Sequence, residues 1–193
     1  MIFFTLILSL VLGHVAPNPA LESNGVSTDV PSSKKSTEAV EQLAWSPDRR
    51  LSWGDFKADP DSSNTHHAMT AANLAVDAKC SDDTFKFKVR CVFLPTQSWS
   101  KNKISAKLLK HEQMHFDLTE VHARLLRKEL ETLGNSCSVA QSQLNETVSA
   151  AFASWKAEQR QFDKLSNHGL NAAVSQEWAA TIDLKLKQLE AYK

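Results

Sequence analysis

Between residues 85 and 94 apolar and polar side chains alternate. Phe85, Phe87, Val89, Cys91 and Phe93 fall on one side, and Lys86, Lys88 and Arg90 on the other. A period of two marks a strand with one buried face. Residues 68–80 carry Met69, Ala71, Leu74, Val76 and Ala78 with partial alternation, and Ser81-Asp82-Asp83-Thr84 between the two runs is turn chemistry. The pattern predicts an antiparallel hairpin, and the strand 85–94 offers an edge on which an extended peptide can add. From about residue 104 the period changes. Ile104, Leu108, Leu118, Leu125, Leu126 and Leu133 share one helical stripe, with Lys110, Gln113, Asp117, Arg124, Lys128 and Glu131 opposite. Gly134-Asn135 stops this helix. A second helix is predicted over 138–165 (Leu144, Val148, Ala151, Phe152, Trp155, Phe162, Leu165), ending at Asn167-His168-Gly169. A third is predicted over 172–191 (Val174, Trp178, Ile182, Leu186, Leu189). Strands first and helices after predict an α+β domain: an N-terminal antiparallel hairpin or sheet packed on a C-terminal bundle of three long helices.

The N-terminus follows a different rule. Residues 1–13 are apolar and uncharged, too short to span a bilayer comfortably, and small and turn residues follow. Residues 1–20 read as a secretory signal peptide and the Ser-, Thr- and Lys-rich stretch 21–42 as a flexible leader, leaving 43–193 as a single domain. This predicts a secreted or periplasmic protein with no stable membrane insertion once the signal is removed. Composition narrows the partners. Hydrophobic residues make up 42% of the 193, so the chain is not disordered, and 22 Lys+Arg balance 22 Asp+Glu, so no nucleic-acid partner is expected. Export permits disulfides, and the three cysteines, Cys80, Cys91 and Cys137, allow one internal bridge of unassigned pairing. Cys91, in phase with the strand's apolar face, reads as a core thiol.

One motif carries chemistry. His111-Glu112-Gln113-Met114-His115 is an HExxH sequence inside the first predicted helix. Histidines four apart lie one turn above each other, so both imidazoles reach one metal, while the intervening Glu112 stands beside it as a general base. Both histidines lie within the apolar stripe, where buried imidazoles need partners for four ring nitrogens. One zinc ion per chain is the expected cofactor. Two histidines do not hold zinc, and His122 lies about 10.5 Å further along a helix that no Gly or Pro breaks. The third ligand must come from another element. If the first two helices form an antiparallel hairpin turning near 135, the end of the second returns to His111. Glu158, Asp163 and His168 are the candidates there, and geometry alone does not choose among them.

Leu51-Ser52-Trp53-Gly54-Asp55-Phe56, Ser98-Trp99, Leu108-Leu109-Lys110-His111-Glu112-Gln113-Met114-His115-Phe116-Asp117-Leu118 and Phe162-Asp163-Lys164-Leu165-Ser166-Asn167-His168-Gly169 occur in this order. Over about residues 44–185 the chain resembles DUF922, a family of secreted bacterial proteins of unknown function usually described as predicted zinc-dependent proteases. The family's late block reads Tyr-Asp-x-x-Thr-x-His-Gly. The resemblance therefore implies His168 as third ligand, with Asp163 as its supporting residue or alternative. Phe162 and Ser166 depart from the family Tyr and Thr, and a lost Tyr hydroxyl implies lower activity if that group stabilised an oxyanion. The expectation is an exported metal-dependent hydrolase with a zincin-like metal helix: a zinc metalloprotease acting on a peptide or protein substrate, with Glu112 catalytic and His111, His115 and His168 on the metal. The rival expectation is a non-catalytic metal-binding domain of the cell envelope.

Overall fold

Strands β1 (Leu43–Ala44), β2 (Ala68–Met69), β3 (Ala72–Ser81), β4 (Thr84–Phe93) and β5 (Trp99–Ser100) precede helices α1 (Ala106–Thr132), α2 (Cys137–Ser166) and α3 (Ala172–Gln188). The computed structural model describes residues 40–60 and 62–193. The expected signal, 1–20, and residues 21–39 of the expected leader lie outside the described residues. The architecture is α+β, small antiparallel sheets against three helices, as the periodicity predicts.

The hairpin forms in the expected register, from Ser81 opposite Thr84 to Ala72 opposite Phe93. Asp82 and Asp83 form its two-residue turn with φ of 51° and 56°. Positive φ at both central positions matches the strand twist, and Asp tolerates it. Two expectations change. The stretch 68–80 is not one strand. At Ala71 the N–H goes to Ser98 Oγ (2.9 Å) and the carbonyl accepts from Leu94 N (2.8 Å), so β2 separates from β3 and pairs with β5 instead. Nor is 85–94 an edge, because the strand order is β1-β4-β3. The side of β4 away from β3 is already engaged: β1 pairs with Phe93 and Val92, Trp45 N donates to Cys91 O, Arg127 donates to Val89 O, and Phe85 N donates to Asn135 O.

Helix α1 starts at Ala106 because Ser105 caps it, its side chain accepting from Leu108 N (3.1 Å). Ile104, placed on the stripe by the sequence pattern, therefore precedes the helix and is 94% exposed. The polar face also departs from expectation, since Gln113, Asp117 and Arg124 are buried. Residues 45–51 lie across it. Gln113 Oε1 accepts from Leu51 N (2.6 Å), and Asp117 accepts from Trp45 Nε1 (2.8 Å) and Arg50 (2.8 Å). The remaining faces of α1 meet two apolar clusters. Phe116, Ala123, Leu126 and Leu130 pack with Phe56, Leu74, Val89, Cys91 and Phe93 of the sheet side. Met114, Leu118 and Val121 pack with Phe162 and Ile182 of α2 and α3. The central helix is thus enclosed over most of its length, and His111, Glu112, Gln113 and Met114 are buried within it.

Cys80, at the end of β3, is joined to Cys137 at the start of α2. Cys91 is the buried free thiol, and burial pushes its pKa well up. No helix among the described residues is long and apolar enough to cross a membrane.

Candidate metal centre

The α1–α2 hairpin sets the site. The two helices run antiparallel in a register that advances one turn at a time: His111 faces Asp163, His115 faces Gln159, and Thr119 faces Trp155. Residues four apart on each helix thereby stack into one polar column inside an otherwise apolar seam.

His111 Nε2, His115 Nε2 and Asp163 Oδ1 converge. The separations are 3.1 Å between the two nitrogens, 3.1 Å from His111 to Asp163 and 3.0 Å from His115 to Asp163. Bonds of about 2.0–2.1 Å to a tetrahedral ion place neighbouring donors about 3.3 Å apart. The triangle is therefore the right size to form three ligands of one zinc-like cation, and its donor set of two imidazoles and a carboxylate suits such an ion. Burial works to raise the pKa of the Asp163 carboxyl, but hydrogen bonds from His111 and His115 outweigh it and hold the group far below the usual carboxylate range. Burial likewise works to lower the pKa of His115, and the hydrogen bond and charge of Asp163 override it upward. Asp163 and His115 thus favour each other's charged form in the metal-free site, an ion pair that a bound cation would replace by taking the proton's place on the imidazole.

The other expected residues fall in distinct places. Glu112 is buried beside β2, and Thr70 Oγ1 donates to its Oε2 at 2.7 Å. His168 stands on the solvent side with its side chain 52% exposed and its Nδ1 3.5 Å from Asp163 Oδ1, next to the triangle rather than within it. Glu158 is elsewhere: its oxygens meet His122 Nε2 (2.8 Å) and Lys185 Nζ (2.5 Å). Phe162 is fully buried beneath the site, its ring 4.7 Å from that of His111 and 4.8 Å from that of His115. It forms an apolar floor under the two imidazoles.

Two contributors, Thr70 and Gln159, escaped the sequence reading. Thr70 becomes visible only because the β2–β3 break turns it toward α1. Gln159, whose Oε1 lies 2.5 Å from His115 Nδ1, carries a usable signal: it sits four residues before Asp163, mirroring the spacing of His111 and His115. His66, which precedes β2, packs its ring 4.8 Å from that of His168. Gly169 was read as a helix terminator and has a second role. Asn167 and His168 both adopt positive φ, and Gly169 (φ 80°) follows hard against His111. A Cβ there would lie 3.0 Å from His111 Cγ.

Residues 54–169, more than half of the chain, match the family described as bacterial protein of unknown function (DUF922). No curated protein and no solved structure matches the chain. The matched stretch contains Thr70, the HExxH residues, Gln159, Asp163, His168 and Gly169, and the chain belongs to the DUF922 family.

Proposed function

We propose that the protein is an exported zinc-dependent hydrolase, a peptidase acting on peptide or protein substrates in a secreted or periplasmic setting. The observation that carries the reading is the triangle of His111 Nε2, His115 Nε2 and Asp163 Oδ1, with Glu112 next to His111 in sequence. His111, His115 and Asp163 hold the zinc, and His168 stands ready at the rim. Zinc, when bound, supplies the Lewis acidity that makes water a nucleophile at neutral pH. Glu112 takes the proton from the attacking water and returns it to the leaving amine. Thr70 ties up one oxygen of that carboxylate and leaves the other for this exchange. Burial of Phe162 under the imidazoles keeps water from the ring faces. The Cys80–Cys137 bridge supports an oxidising compartment, hence export.

The test pairs metal content with turnover. The chain should hold one zinc and hydrolyse a generic casein substrate. Glu112→Gln should keep the zinc and lose about 10²–10⁴-fold in rate. Unchanged hydrolysis in that variant sinks the base assignment.

A second reading, a non-catalytic metal-binding domain of the cell envelope, is favoured by one observation. His168 Nδ1 lies 3.5 Å from Asp163 Oδ1, near enough to the cluster that a turn of its ring would bring in a fourth protein donor. A fourth protein ligand closes the open position that catalysis needs. Zinc bound without turnover, and bound more weakly in His168→Ala, selects this reading.

A further inference from the structure

Gln159 makes contacts that leave its amide only one orientation. Its Nε2 lies 3.0 Å from His115 O and 3.1 Å from Thr119 Oγ1. His115 O is an acceptor. The Thr119 hydroxyl has spent its proton on the same carbonyl (2.8 Å), and it also accepts from Trp155 Nε1 (3.1 Å), a group that only donates. Two acceptors face this end of Gln159, so the end must be its NH2. The oxygen, Oε1, is then the atom 2.5 Å from His115 Nδ1. An oxygen acceptor at that distance requires a proton on Nδ1. In the neutral ring the lone pair is then left on Nε2, the nitrogen that faces His111 Nε2 and Asp163 Oδ1.

His111 has no such device: its Nδ1 is buried without a hydrogen-bond partner among the described residues. We infer that Gln159 is the positioning residue that locks His115 in the Nδ1–H tautomer and so presents Nε2 as a ready metal donor. Thr119 and Trp155 in turn lock Gln159. The inference about the tautomer stands on the hydrogen-bond network alone, and its consequence for metal affinity rests on the zinc reading above.

The experiment uses the full chain and zinc itself. In metal-free protein in alkaline buffer, where imidazoles are neutral, nitrogen-15 NMR of the ring nitrogens should show His115 protonated at Nδ1. Gln159→Leu should shift His115 toward the other tautomer. Zinc affinity, measured by competition with a chromophoric chelator, should fall about 10–100-fold. Gln159→Glu keeps an oxygen toward Nδ1 while losing both donated bonds, and it should retain the tautomer and bind zinc within about threefold of the parent or tighter. A residue that merely filled space or tied the helices together would give the reverse, with Glu as harmful as Leu. An unchanged tautomer in Gln159→Leu overturns the inference, as does equal damage in Gln159→Glu. A parent chain that takes no zinc, yet switches tautomer in Gln159→Leu, supports the role of Gln159 and counts against the zinc reading alone.

Discussion

A single methylene-sized space governs His111. Gly169 combines a left-handed backbone with a close approach to the imidazole, and the two demands separate cleanly because Gly134 has only the first. Gly134 has φ 68° and nothing within 4 Å of where a Cβ would stand, whereas a Cβ on Gly169 would meet His111 Cγ, Cβ and Nδ1 at 3.0, 3.1 and 3.2 Å. Backbone strain alone costs about 1–2 kcal/mol for a side chain in the left-handed region. Gly134→Ala should therefore lower the melting temperature and leave zinc affinity unchanged. Gly169→Ala should lower the melting temperature at least as much and also weaken zinc binding, since His111 must move. Thermal denaturation of the metal-free chains and chelator competition read the two effects separately. Equal zinc affinity in the two variants would show that Gly169 serves the turn only.

At the scale of elements, α1 explains why the motif is longer than HExxH. Within 111–117 six side chains reach five surroundings: His111 and His115 the triangle with Asp163, Glu112 the β2 end, Gln113 the Leu51 amide, Phe116 the sheet core, and Asp117 both Trp45 and Arg50. The helix and its histidines were legible in the sequence because a 3.6 period and a four-residue spacing are local. The burial of Gln113, Asp117 and Arg124 was not, because their cover comes from residues 45–51 and from the chain's C-terminal turn, far away in sequence. The antiparallel hairpin argument narrowed the candidates for a third donor to three residues. Only the register places Asp163 opposite His111 and sets it apart in position from Glu158 and His168. The cysteine pairing was likewise unreadable, since it depends on the hairpin tip reaching the α1–α2 turn. That bridge joins residues 57 apart, and closing a loop of this size is worth about 2–4 kcal/mol in typical proteins. Cys80→Ser with Cys137→Ser should lower the urea unfolding free energy by about that amount, and a reducing agent should destabilise the parent but not the double variant. Insensitivity of the parent to reductant would count against a stabilising bridge.

Across the whole molecule, a chain with no net charge uses its charges internally to assemble three helices. Arg124, 1% exposed, meets Glu120 (3.0 Å), Glu190 (3.0 Å) and the Leu186 carbonyl (2.6 Å), and Arg127 meets Glu120 and the Tyr192 carbonyl. This network ties the C-terminal turn to the middle of α1. Glu120→Ala removes a charge-assisted acceptor from both arginines but leaves Arg124 on Glu190 and Arg127 on backbone carbonyls, so it should cost about 1.5–3 kcal/mol in urea unfolding. A second cluster joins all three helices, with Glu158 of α2 between His122 of α1 and Lys185 of α3. The His122 hydrogen bond, opposed by burial and aided by Lys185, brings the pKa of Glu158 down to about 2 from its ordinary 4.5. A carboxylate whose folded pKa is depressed adds stability that is present above its unfolded value and is lost as pH falls from there through the folded one. The window here runs from 4.5 down to about 2. Glu158→Gln should therefore be less stable than the parent at neutral pH, and the gap should shrink as pH is lowered toward about pH 3. Urea midpoints across that range measure it. A gap that stays constant would mean that Glu158 acts by packing rather than by charge, and that α3 is held to the α1–α2 pair chiefly through the apolar contacts of Ile182 and Trp178.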